Sequence, residues 1–310
     1  MQTDKKIDII VPVYKPGKEL FALLDMLNKQ DAPIDNIILL NTEKQYFDAL
    51  TDGTDFLERY RNVKVFHLSK QEFDHGKTRR MGVEKSEADI FVMMTQDALP
   101  ADTTLISRLV MNLRGEVAVS YARQLPTRDC SPEEQYSRKF NYPEKSYVKG
   151  NDDLPRMGIK TFFCSDVCAA YRREIYDQLG GFVEKTIFNE DMLYAAKAVR
   201  AGYKIAYEAE ARVYHSHNYT NMQQLRRNFD MGVSQAQYPE WFEGISSESE
   251  GRKLVKDTTG YLWRHNGKLR IPYFYIQCAF KYAGYLLGKK YKKLPRKMIL
   301  FLTSNQEYWM

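Results

Sequence analysis

Residues Ile7 to Tyr14 form a nearly unbroken apolar run, and Lys18 to Gln30, directly after it, carries Leu20, Leu23, Leu24 and Leu27 at helical spacing. This predicts a buried strand followed by a helix that covers it. The rhythm recurs along the next hundred residues. Asn36 to Leu40 and Asn62 to Leu68 read as strands, Lys77 to Ser86 as a helix and Ile90 to Thr95 as a strand. Thr103 to Leu113 follows as a helix with Leu105, Leu109 and Val110 on one face, and Val117 to Tyr121 as a strand. Strands alternating with helices predict an α/β fold, a mostly parallel, doubly wound sheet with helices on both faces. Ligands of such sheets sit beyond the carboxyl ends of the strands, which directs attention to Tyr14, Asn41 and Gln96-Asp97.

After Tyr121 the rhythm breaks. Arg123 to Lys160 is polar and contains four prolines, and predicts a helix around Glu133 to Phe140 followed by a mobile loop. Thr161 to Tyr171 is strand-like, Arg173 to Leu179 is a short helix stopped by Gly180-Gly181, and Asp191 to Ala201 is a helix ending at Gly202. Strands are expected at Lys204 to Tyr207 and Ala211 to Tyr214, then helices at about Asn221 to Gln237, Ser247 to Arg264, Tyr273 to Leu287 and Arg296 to Thr303. The expected division is a catalytic unit over 1–220, with halves of about 1–121 and 122–220, and a helical region over 221–310.

Charge follows that division. The chain carries +6, yet its last 53 residues hold ten Lys/Arg and one acid, a net +9, which leaves −3 for the first 257. An anionic partner attracted by bulk charge is therefore a partner of the C-terminal piece. The four cysteines contain no CxxC pair and no disulfide framework, which suits a reducing compartment. The first apolar run is too short and too early for a signal peptide. Ile271 to Gly288, the most lipid-like segment, is interrupted by Lys281 and diluted by Pro272 and Gln277. A protein that stays inside the cell and does not span a bilayer is expected.

Four places carry candidate chemistry. Asp97 ends a buried strand, where a carboxylate can hold Mg²⁺ or Mn²⁺ against a diphosphate or can merely cap the next helix. Glu190-Asp191 opens a helix after a glycine-containing loop, and serves either as a base or as first-turn acids. His215 and His217 lie two apart at a strand end, and one of them could complete a metal site begun by Asp97. Phe73 to Arg80 joins a glycine to clustered cations at a helix start, where free N–H groups with Arg79 or Arg80 would suit a diphosphate.

Taken in order, these segments resemble the inverting glycosyltransferases of the large GT-A family 2, in particular the bacterial rhamnosyltransferases of cell-wall polysaccharide (rhamnan) synthesis. The matching segments are Ile9 to Tyr14, the HGxTR-like loop Phe73 to Arg79, Thr95-Gln96-Asp97 in place of the DxD motif, Asn189-Glu190-Asp191 as the ED motif, and Tyr214 to His217. They span about Lys6 to Asp230. The resemblance implies a GT-A fold with a C-terminal helical extension. It implies Asp191 as the base that deprotonates the acceptor hydroxyl, with Glu190 as a positioning group. Asp97 and His217, or less favourably His215, would hold the Mg²⁺ or Mn²⁺. Pro12, Tyr14 and Asn41 would hold the nucleotide base, with Gln96 beside Asp97 on the donor and Arg79 on its diphosphate or ribose. Arg226 and Arg227 would neutralise the leaving group. The implied donor is dTDP-β-L-rhamnose and the implied acceptor a lipid-linked saccharide at the cytoplasmic face of the membrane. Two departures stand out: Thr95 replaces the first acid of the DxD, and Asn41 replaces an aspartate found in many relatives. The first leaves open a non-catalytic binding or assembly subunit on the same scaffold.

The basic tail interleaves its cations with Tyr282, Tyr285, Leu286, Leu287, Tyr291, Ile299, Leu300 and Phe301. That pattern suits an amphipathic helix on an anionic membrane better than a nucleic-acid binder. Packing against the catalytic unit, or against a second copy in a homodimer, is the alternative for those apolar residues.

Overall fold

Among the residues that the computed structural model describes (5–242, 245, 248–265 and 267–310), nine strands form one sheet. They are β1 (Ile7–Tyr14), β2 (Asn36–Thr42), β3 (Val63–Leu68), β4 (Ile90–Met94), β5 (Leu99–Pro100), β6 (Val117–Leu125), β7 (Tyr147–Lys149), β8 (Cys168–Arg172) and β9 (Lys204–Tyr214). Their order is β3-β2-β1-β4-β8-β6-β9-β5, with β7 also on β9. The longest ladders, β1–β2, β2–β3 and β6–β9, are parallel; β8 is inserted antiparallel between β4 and β6.

The helices up to the end of the sheet are α1 (Glu19–Leu27), α2 (Lys44–Thr51), α3 (Phe56–Arg59), α4 (His75–Glu84), α5 (Leu105–Met111), α6 (Pro132–Asn141), α7 (Leu154–Met157), α8 (Arg173–Gln178) and α9 (Glu190–Arg200). Side chains alternate across a strand, so each central strand feeds two cores. Ile7, Ile9, Val11 and Val13 of β1 pack with Leu20 and Leu24 of α1 and Leu105 and Leu109 of α5. Ile10, Ile38, Leu40, Phe91 and Met93 pack on the other face with Val83 of α4 and Leu193 and Tyr194 of α9. Helices on both faces are thus a consequence of apolar residues at odd and even positions alike.

Three expectations are corrected. The stretch after α6 is ordered rather than mobile. β7 pairs with β9, and the buried Lys149 donates from Nζ to the carbonyls of Lys160 (2.6 Å) and Phe163 (2.5 Å). A buried ammonium has to find acceptors, and here its search fastens the segment down. The strand expected from Thr161 begins only at Cys168, because Gly158–Phe162 coils into a 3₁₀ turn. The two strands expected between Lys204 and Tyr214 are one, with a register shift against Ala122/Arg123 of β6.

Beyond β9 the regular elements are helices: α10 (Asn221–Gln237), α11 (Pro239–Phe242), α12 (Glu248–Arg264), α13 (Ile271–Lys289) and α14 (Arg296–Leu302). The expected start of α12 at Ser247 lies outside the described residues. α10 and α13 touch backbone to backbone. A Cβ on Gly284 would stand 2.2 Å from the Leu225 carbonyl oxygen, and one on Gly288 2.1 Å from that of Phe229. Gly284→Ala must push the helices apart, and is expected to lower unfolding stability by about 1–3 kcal/mol in chemical denaturation. An unchanged midpoint would show that the helices separate freely. Among the described residues no helix is long and apolar enough to cross a membrane.

Candidate active site

The strand order reverses between β1 and β4, which opens a crevice at their carboxyl ends. Pro12 fits in β1 because the β1–β4 ladder ends at Ile10↔Met93, so no donor is required of it on that side. Gln96 closes the crevice floor: its Oε1 accepts from the Tyr14 amide (2.9 Å) and its Nε2 donates to the Tyr14 carbonyl (3.0 Å). Lys15, Glu43 and Asn189 all have positive φ (48°, 66° and 63°). Each sits where the chain turns away from this end of the molecule, after β1, after β2 and before α9. Backbone held in that region is characteristic of functional loops.

β5 brings the metal candidates together. Leu99 and Pro100 pair with Tyr214 and Val213, which places Asp97 opposite the residues that follow β9. His217 Nε2 lies 3.1 Å from one Asp97 oxygen, His215 Nε2 lies 3.6 Å from the other, and the two ring nitrogens are 3.1 Å apart. The other His215 nitrogen, Nδ1, lies 2.9 Å from Gln124 Oε1, an acceptor, so it carries the proton and Nε2 presents its lone pair. Burial lowers His215 to about 3, which keeps the ring neutral. Burial opposes ionisation of Asp97, yet the hydrogen bond from His217 holds its carboxyl well below the usual range. One carboxylate and two imidazoles, their ligand atoms within 4.8 Å of one another, fit a divalent ion that accepts nitrogen beside oxygen.

A second cluster surrounds the start of α9. Arg79 of α4 is buried between Glu190 Oε1 (3.1 Å from Nη1) and Asp166 Oδ2 (3.3 Å from Nε), and His75 Nδ1 lies 3.7 Å from Glu190. Tyr171 donates its hydroxyl proton to Asp166. Asp191 accepts from the backbone amides of Asp166 (3.1 Å) and Met192 (2.6 Å). Two carboxylates, Glu190 and Asp166, thus pair with one guanidinium, and Asp191 acts on it only through its charge. Burial would raise Glu190, but Arg79 holds it down at about 2. Burial and the Asp191 charge raise Asp166 well above the usual range. Burial together with the Glu190 charge pushes Asp191 up to about 7. Asp191 is half-buried while Glu190 is buried, so Asp191 is the acid of this pair that solvent and substrate can reach.

The other expected residues are distributed unevenly. Tyr14 is exposed at the crevice, edge-on to Tyr46 with Lys15 over both rings. Asn41 is buried, its Nδ2 3.0 Å from His67 Nδ1 and its Oδ1 without a partner. Arg79 is enclosed by carboxylates, so it supports Glu190 instead of standing free for a diphosphate. The N–H groups at the start of α4 are also taken, because Asp74 accepts from Gly76, Lys77 and Thr186. Arg80 donates to the Gly180 carbonyl. Arg226 donates to the Phe301 carbonyl, whereas Arg227 lies over Tyr219, which itself packs on His217.

Asp166, His75 and Gln124 were not anticipated. Gln124 is buried, and besides His215 its Oε1 accepts from Arg138, while its Nε2 donates to the hydroxyls of Ser165 (2.9 Å) and Tyr142 (2.5 Å). Ser165 precedes Asp166, whose amide holds Asp191, so one chain of contacts joins the histidines to the acid cluster. Gln124→Leu keeps the volume and removes these contacts. It is expected to weaken Mn²⁺ binding about 10–100-fold, read by the paramagnetic signal of free Mn²⁺. An unaltered affinity would separate Gln124 from the metal site.

The family model for glycosyl transferase family 2 matches residues 8–180, more than half of the chain. The chain is 36% identical over 308 residues to the O-antigen chain rhamnosyltransferase RfbN of Salmonella typhimurium, covering 98% of this chain and 96% of that one. It is 35% identical over 306 residues to the O-antigen chain rhamnosyltransferase WbaN of Salmonella anatum, covering 97% and 95%. Among solved structures, the mannosyltransferase PcManGT from Pyrobaculum calidifontis, in complex with GDP-Man and Mn²⁺, superposes with a TM-score of 0.62 at 14% identity, over 93% of this chain and 88% of that one. That likeness speaks for the GT-A fold. The family match and the near end-to-end relatives together show that this chain belongs to glycosyl transferase family 2 and is a glycosyltransferase.

Proposed function

We propose that the protein transfers L-rhamnose, with inversion, from dTDP-β-L-rhamnose to a hydroxyl of a lipid-linked saccharide in bacterial surface-polysaccharide synthesis. The observation that carries this reading is the pairing of Asp191, a reachable carboxylate raised to about 7, with the Asp97–His215–His217 set at the same end of the sheet. The relatives' sugar supports the choice of donor.

The nucleotide base lies at the ends of β1 and β2, against Pro12, Tyr14 and Asn41. Asp97, His215 and His217 hold the divalent ion, Mn²⁺ in preference to Mg²⁺ because two of the three ligands are nitrogen. When bound, the ion neutralises the charge that develops on the leaving diphosphate. Arg227, with its side chain against Tyr219 beside His217, adds a cation to that charge. Asp191 takes the proton of the acceptor hydroxyl as its oxygen attacks the anomeric carbon opposite the diphosphate. Glu190, fixed by Arg79, keeps Asp191 poised near neutrality. A single displacement by one base inverts the anomeric centre and gives an α-linked rhamnoside.

The test is transfer from dTDP-β-L-rhamnose, compared with UDP- and GDP-hexoses, to a lipid-linked saccharide with Mn²⁺, with the product anomer assigned by NMR. A retained configuration or a preference for another donor would overturn the reading.

The catalytic unit is assigned to about residue 220, and the helical region 221–310 to attachment on the cytoplasmic face of the membrane. α13 exposes Tyr275, Ile276 and Tyr282 in a segment rich in Lys and Arg, and Leu269 just before it is 96% exposed. Flotation with vesicles is expected to require anionic lipid and to fall with salt. Binding indifferent to lipid charge would favour dimer packing of this face.

A further inference from the structure

A cleft of about 530 Å³ opens beside His217, between α6, the start of α10, α12 and α13. That is within the range of about 300–1,000 Å³ for small-ligand sites. Its walls are braced before any ligand arrives. Arg270 donates from Nε (2.7 Å) and Nη2 (3.0 Å) to the two oxygens of the buried Glu133, and the Tyr136 and Tyr261 rings meet at 4.8 Å. A forked ion pair of this kind fixes α6 against the helices that follow β9.

The stripe Phe274, Gln277, Lys281, Gly284, Gly288 runs along one side of α13 at spacings of three and four. Its glycine end docks on the backbone of α10, and its first three residues line the cleft. The close helix packing therefore aims Gln277 into the opening. Many polar groups of the cleft are already used: Glu134 pairs with Arg138, and Asn218 bonds to the Ser131 amide and the Asp129 carbonyl. Ser137, Gln224 and Gln277 are different. Among the described residues their side chains make no hydrogen bond, and all three are half-buried in the lining. Tyr219 and Tyr273 add aromatic surface between them.

A hydroxyl and two primary amides both donate and accept, as sugar hydroxyls do, and aromatic rings take the C–H face of a pyranose. Acids outnumber cations along the walls, with Asp129, Glu133 and Glu134 against Arg270 and Lys281, and Arg270 is occupied by Glu133. An anion is disfavoured in such a place and a neutral saccharide is not.

We propose that this cleft binds the saccharide portion of the acceptor, a chain of neutral sugars that enters between α6 and α13 and reaches the reaction centre past His217. The inference rests on the transferase reading given above. It accounts for the helical region as part of the substrate site as well as a surface for attachment.

The experiment measures fluorescence anisotropy of tagged neutral di- and trisaccharides of hexose and 6-deoxyhexose units with the full chain. The variants are Ser137→Trp and Gln277→Trp, which fill the cleft, and Gln277→Ala, which removes a partner without adding bulk. Saturable binding by the unaltered protein is expected, with affinity falling about tenfold or more in each variant. If no saccharide in the panel binds the unaltered protein, or if the variants bind as tightly, the cleft is not the acceptor site. In the same samples, the rise in melting temperature caused by dTDP with Mn²⁺ reports the donor half and the integrity of the fold. Its loss from the unaltered protein with saccharide binding intact would strike the transferase reading and leave the cleft standing. The opposite pattern would strike the cleft alone.

Discussion

Asp191→Asn is expected to lower kcat by about 10²–10⁴-fold, the range for removal of a positioned general base. Asn keeps the shape and can still face the Asp166 and Met192 amides that hold the carboxylate, so the loss reports proton transfer and not collapse of α9. Donor KM and Mn²⁺ affinity should change little, because Asp191 touches neither Asp97 nor the histidines. The pH dependence gives an independent reading. Burial and Glu190 raise Asp191 to about 7, and a base works only when deprotonated, so kcat should rise with pH through a limb near 7. Asp166 and Glu190 share the cluster, so that limb belongs to the group of carboxylates as a whole. It should vanish from whatever activity the Asn variant retains. A variant with full kcat, or with the limb unmoved, would remove Asp191 from the role of base.

Asp97→Ala should fail at a different step. Asp97 is the only charged member of the ligand set, and its carboxyl stays ionised far below neutral pH. Without it, only the two imidazoles remain to hold a dication. Mn²⁺ binding should fall below detection, and transfer by about 10²–10³-fold, the usual effect of losing stabilisation of charge that develops in the transition state. Asp97 is exposed at the crevice, so the melting temperature should not move. The rising limb near pH 7 should persist in the residual activity, because the Asp191 cluster is untouched. Full Mn²⁺ affinity in this variant would place the ion elsewhere. The two substitutions therefore separate the base from the metal, one by pH profile and the other by metal binding.

Much of the scaffold is legible in the sequence because apolar periodicity is local. Ile7 to Val11 and Ile90 to Met94 are buried on both faces, and the run of leucines in α1 lies against one of the resulting cores. Asp97, Asp191 and the two histidines could be singled out because each sits at an element end in a recognisable order. Arg79 shows the limit of that approach. A cation near a glycine reads as an anion site, yet Asp166 and Glu190 reach it first, and Asp74 consumes the helix N–H groups beside it. Asp74 is itself a local N-cap signal, but nothing local in the sequence around Arg79 announces the carboxylates of Asp166 and Glu190.

Asp166 and Gln124 were illegible for the same reason. β8 runs antiparallel between β4 and β6, so the residues before it arrive at the carboxyl end of β4, where Thr95 bonds to Val167. β6 and β9 run parallel and finish together, so Gln124 meets His215 across 91 positions of sequence. The sequence by itself determined the alternating elements, the two-faced sheet, the charge division and which acids and histidines stand at strand and helix ends. The tertiary structure alone decided which carboxylate is reachable, which arginine is spent on the scaffold, and which glutamine joins the histidines to the acid cluster. Periodicity and capping act over a few residues, whereas desolvation and charge pairing depend on groups that only strand order brings into contact.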